Sequence, residues 1–168
     1  MTDALVAFLK ARLDDDERVA RAVGFDGIES EPFLWSSSYL ILRQNTGGES
    51  KTTSELDTEL AAHIARQDPA RTLREVEAKR RLLDAALADH HHVSADQYET
   101  CPRATAVDGL DAGTLAALED LNDERRQEDG VEPKCWDSCG RDARVRRTLE
   151  LLALPYSDHP GCEEAVRS

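Results

Sequence analysis

The sequence predicts a mainly α fold with a small β-hairpin (α+β), packed as a compact helical domain. Apolar residues recur at helical spacing in separate stretches along the chain, and a single stretch rich in β-branched and aromatic residues interrupts them. Aromatics amount to only 5% against 40% hydrophobic residues, so the core must be built of Leu, Ala and Val, a palette that suits helices. At 168 residues, one domain with its own core is expected over residues 1–168, with 90–134 as a peripheral or flexible insertion because its apolar density is the lowest.

Thr2 or Asp3 caps a first helix of about twenty residues ending at Gly24, with Leu5, Phe8, Leu9, Leu13, Val19, Ala20 and Val23 on its apolar stripe. Its acidic run, Asp14-Asp15-Asp16-Glu17, fans around the helix axis and reads as a solvated face rather than a metal site, which needs converging carboxylates. Residues 25–52 carry Phe33, Leu34, Trp35, Tyr39, Leu40, Ile41 and Leu42 around a serine triplet, the pattern of a short hairpin. Thr53 or Ser54 begins a second helix that runs to Gln67.

The central helix covers residues 68–89. Asp68 caps it, Pro69 is pre-set for its first turn, and Leu73, Val76, Leu83 and Leu87 line one face. Asp111 starts a further helix with Leu115, Leu118 and Leu121 inward, and Gly130 stops it. A last helix runs from Asp142 to Leu154 with Val145, Leu149 and Leu152 inward. The tail after Pro155 is expected to be irregular.

The net charge of −13 argues against general attraction to nucleic acid or anionic membranes. Two stretches run the other way: residues 66–81 and 141–147 are each net +3, leaving −19 on the remainder. Basic runs on helices are most simply explained by pairing with neighbouring carboxylates. No stretch approaches the roughly 18 apolar residues of a membrane span, and Met1-Thr2-Asp3 lacks the basic region of a signal peptide. The expected location is therefore the cytoplasm, where Cys101, Cys135, Cys139 and Cys162 stay reduced.

Reduced cysteines with nearby histidines point to zinc. Cys135 and Cys139, spaced Cys-x3-Cys, join Cys101 and one of the histidines 90–92, with His92 completing a tetrahedral Cys3His set. An alternative set draws on His159 and Cys162. Phosphate loops, nucleophile elbows, His-Glu-x-x-His and paired-carboxylate motifs are all missing from the sequence, and His63 has no Ser or Cys partner in a recognisable triad. The reading leans away from an enzyme.

Leu5 to Glu17, His63 to Arg71 with Glu77 to Arg81, and Leu149 to Pro160 with its LLALPYxDHP motif together resemble a family of small proteins of unknown function from actinobacteria and their phages. The resemblance covers about half the chain. It implies a shared helical scaffold and a cytoplasmic actinobacterial or phage setting, and it lends no activity. Cys162 stands where many relatives carry an aromatic residue, which leaves Cys101, Cys135 and Cys139 as the ligands.

Two functions follow from these features. The first is a non-enzymatic binding or regulatory protein whose acidic surface meets a protein partner with a basic surface. The alternative is a zinc-binding or nucleic-acid-binding protein that uses the basic helices 66–81 and 141–147.

Overall fold

The computed structural model describes residues 2–22 and 59–167 with their side chains; between them it describes the backbone of the strands and the first residue of the second helix. The mainly helical expectation holds. The small β-hairpin is corrected: none of the residues described with side chains lies in a strand, and the backbone between residues 27 and 57 pairs as a four-stranded sheet rather than a two-stranded ribbon. In it β1 (Gly27–Leu34) runs antiparallel to β2 (Ser37–Arg43), from Gly27 opposite Arg43 to Pro32 opposite Ser38. Two-residue strands β3 (Lys51–Thr52) and β4 (Leu56–Asp57) also pair with β2. A lone ribbon is marginal in water, and these short additions give β2 partners beyond β1. Pro32, which lacks an N–H to donate, sits on the edge strand β1.

Helix α1 spans Asp3–Ala22 and buries Leu5, Leu9, Leu13 and Ala20. Helix α2 spans Thr58–Arg66 and starts later than expected because Leu56 is used by β4; Ala61 is its buried residue. Helix α3 spans Pro69–Leu87. The Asp68 carboxylate accepts from the backbone N–H of Arg71, as a cap should, and Val76 and Leu83, two turns apart, are buried. Helix α4 spans Ala112–Asp129, capped by Asp111, whose carboxylate accepts from the N–H groups of Gly113 and Thr114, and closed by Gly130 at φ +66°. Helix α5 spans Arg141–Ala153 with Val145, Leu149 and Ala153 buried, and the tail forms a short helix α6, Cys162–Arg167.

The chain divides into two compact units, one of residues 3–82 with 156–168, the other of residues 83–155. In the first, α1 packs on α6, and Tyr156 and His159 lie against α1. The Phe8 ring meets Tyr156 edge-on at 6.4 Å and His159 at 5.6 Å, while Arg12 reaches His159 Nε2 at 2.6 Å. The acidic run has specific partners here. Tyr156 Oη donates to Asp16 at 2.6 Å, and Arg80 reaches Asp14 and Glu17. Burial and the Asp16 carboxylate both raise the Tyr156 pKa. Tyr156→Phe is expected to lower stability by about 1.5 kcal/mol, as a lost hydrogen bond to a charged acceptor would, read by denaturant unfolding.

In the second unit, Cys101, Ala104, Leu110, Leu118 and Cys139 form a buried cluster, with Val93, Leu115, Cys135 and Trp136 packed against it. The stretch 90–134 thus supplies much of this core. Asn122, buried on α4, donates from Nδ2 to the carbonyl of Pro102 at 2.8 Å and ties the turn after Cys101 to the helix. Asn122→Ala orphans that carbonyl and is expected to cost about 1–3 kcal/mol, measurable by thermal or urea unfolding.

Candidate metal centre

Three short segments of the second unit bring the chemistry together. The first is the loop from His91 to Cys101. Its ends are joined by the Cys101 N–H donating to the His92 carbonyl at 3.0 Å, and buried Thr100 clamps it through bonds to the backbone of Ser94. The second is the turn after Cys101, closed by the Ala104 N–H on the Cys101 carbonyl at 2.9 Å. The third is the Cys135–Gly140 turn before α5, in which the N–H groups of Cys139 and Gly140 both donate to the Trp136 carbonyl. Gly140 adopts φ +65°, a left-handed conformation that favours glycine.

These segments place the ligand atoms of His91, Cys101, Cys135 and Cys139 within 4.8 Å of one another. His91 Nδ1 lies 3.4 Å from Cys101 Sγ and 3.7 Å from Cys139 Sγ. A tetrahedral metal with bonds of about 2.3 Å to sulfur and about 2.05 Å to nitrogen separates S and N by about 3.6 Å, so both distances match a shared ion. The group is compatible with a metal ion. It is the only such group found among the described residues.

The expected cysteines Cys101, Cys135 and Cys139 are all brought together. The histidine in the group is His91. His92 has an exposed side chain and takes part through its backbone, the N–H donating to Cys139 Sγ at 3.2 Å. Cys162 and His159, the alternative pair, belong to the first unit, where Cys162 is buried on α6 and His159 contacts Phe8 and Arg12.

Burial pushes the Cys101 thiol up to about 11, against donation from the backbone N–H groups of Arg103 and Trp136. Burial also opposes ionisation of Cys139, but the N–H groups of His92 and Arg141 and the His91 ring outweigh it and hold the thiol down to about 6. The surroundings of Cys139 thus favour its thiolate form, with the N–H of His92 aimed at the sulfur.

An outer layer of polar residues, absent from the expected site, surrounds the ligands. Asp108 Oδ1 accepts the His91 backbone N–H at 2.8 Å, while its Oδ2 accepts from Thr105. These bonds hold the Asp108 carboxyl below the usual range despite burial, which acts the other way. Asp142 Oδ1 faces His91 Nε2 at 3.7 Å. Only the position of Asp142 just after Cys139-Gly140-Arg141 hinted at such a role; nothing in the sequence marked Asp108.

A family model described as a family of unknown function (DUF6221) matches residues 2–167. No curated protein and no solved structure matches the chain. None of the described helices is long and apolar enough to cross a membrane.

Proposed function

The chain belongs to the DUF6221 family, whose function is unknown, and from its own residues we propose a zinc-stapled binding or regulatory protein rather than an enzyme. The observation that carries this reading is the convergence of three sulfurs and one imidazole nitrogen within 4.8 Å of one another, with the nitrogen 3.4 and 3.7 Å from two of the sulfurs. Thiolates and imidazole select zinc over magnesium or calcium, which prefer oxygen. Four protein ligands fill a tetrahedral ion and leave no position for water or substrate, the mark of a structural rather than a catalytic site. Holding His91, Cys101, Cys135 and Cys139 together substitutes for apolar side chains that this segment lacks.

The binding role rests on charge. Much of the basic character of residues 66–81 and 141–147 is paired: Arg71 with Glu75, Arg80 with Asp14 and Glu17, Arg81 with Glu77, Arg144 with Asp89 and Arg146 with Glu150. This supports a protein partner with a basic surface over nucleic acid. An actinobacterial or phage setting, implied by the sequence resemblance, selects the lysate in which to seek it.

Elemental analysis of protein made with zinc supplied and without chelators tests the metal. One zinc per chain is expected; sub-stoichiometric zinc alongside four titratable native thiols would sink the site. The partner is tested by pull-down from actinobacterial lysate at low and high salt, and recovery of nothing salt-sensitive counts against it.

A further inference from the structure

Asp142 stands where three ligand-bearing segments meet. His91 presents Nδ1 to the sulfurs of Cys101 and Cys139, and its other ring nitrogen faces Asp142 Oδ1 at 3.7 Å. Arg103 donates to Asp142 Oδ2 at 2.6 Å and Arg141 to Oδ1 at 3.2 Å. These two arginines are not arbitrary neighbours. Each lies two residues after a cysteine of the group, Arg103 after Cys101 and Arg141 after Cys139. One carboxylate therefore gathers the side chains that follow both cysteines, together with the ligand imidazole.

Charge points the same way, because the Asp142 carboxylate is the anion that the Arg103 and Arg141 guanidinium groups share, and its loss takes that acceptor from both. An imidazole can offer Nδ1 to a metal only if its proton sits on Nε2, the nitrogen beside Asp142.

Resting on the zinc reading above, we propose that Asp142 is the positioning residue of the metal centre: it fixes the Nε2–H form of His91 and locks the turns after Cys101 and Cys139 through Arg103 and Arg141. A carboxylate behind a ligand histidine is worth about 10–100-fold in metal affinity.

The test compares zinc-loaded wild type with Asp142→Asn, which is isosteric and keeps the helix start intact, and with Asp142→Ala. Zinc affinity is read by competition with a chromogenic chelator, and the His91 ring by long-range proton–nitrogen correlation. The wild-type ring is expected to carry its proton on Nε2 and metal on Nδ1, and both variants to bind zinc about 10–100-fold more weakly. Variants within twofold of wild type, or a wild-type ring bound through Nε2, overturn the role of Asp142 while leaving the zinc site standing. A wild type that takes up no zinc overturns both.

Discussion

Cys139→Ser is expected to drop bound zinc from one per chain to a small fraction at equimolar metal, and to strip hydrogen-exchange protection from residues 90–140. Serine keeps the volume but offers a hydroxyl where the group needs a thiolate, and the N–H of His92 loses its sulfur acceptor. Structural zinc contributes on the order of 10 kcal/mol in small metal-dependent folds, and losing one ligand of four forfeits much of that. The buried cluster of this region, Cys101, Ala104, Leu110, Leu118 and Cys139, takes two of its five members from the ligand group itself. Helix α1 should keep its protection because Leu5, Leu9 and Leu13 belong to the first unit. Lowering the pH should act like the mutation, since protons compete with zinc for the thiolates. Protection that persists in residues 90–140 of the zinc-free variant would show that the metal is not the staple.

Leu9→Ala should produce the opposite pattern. Leu9 is 1% exposed and sits at the middle of the buried stripe of α1, so truncation removes its transfer free energy and leaves a cavity. A loss of about 3 kcal/mol is expected, read as a fall in unfolding midpoint, with zinc per folded chain unchanged. A loss below about 1 kcal/mol would mean that the stripe is not the core of the first unit.

Helices α1, α3 and α5 were legible because each repeats apolar residues over three or more turns and carries a stop or a cap, Asp68-Pro69 being the plainest. Elements shorter than the period they must display were not. The six residues of α6 span less than two turns, and β3 and β4, two residues each, show no alternation. The hairpin expectation failed for this reason: the strands that turn a ribbon into a sheet leave no pattern.

At the candidate metal centre, residue type and spacing pointed to Cys101, Cys135 and Cys139, whose sulfurs the structure brings together. The histidine was a matter of phase. Residues 90–94 are not helical, and neighbouring side chains in such a segment diverge, so three consecutive histidines could not be told apart until the pairing of Cys101 with the His92 backbone set which ring turns inward. The low apolar density of residues 90–134 gave no sign of the buried cluster they share with Cys139, because hydrophobicity patterns give little weight to cysteine, two of which lie in it. Asp108 and Asp142 were hidden among 34 acidic residues, since an outer-layer carboxylate has no composition of its own.

Cys162 gives the chain a built-in counter. It is buried on α6 in the first unit, outside the group formed by His91 and the other three cysteines. In the zinc-loaded chain one alkylating reagent can therefore time two events. Three thiols become reactive when a chelator draws the metal out, and the fourth answers only when the first unit opens. The interval between the two labelling phases measures how far the halves of this molecule lose their order separately.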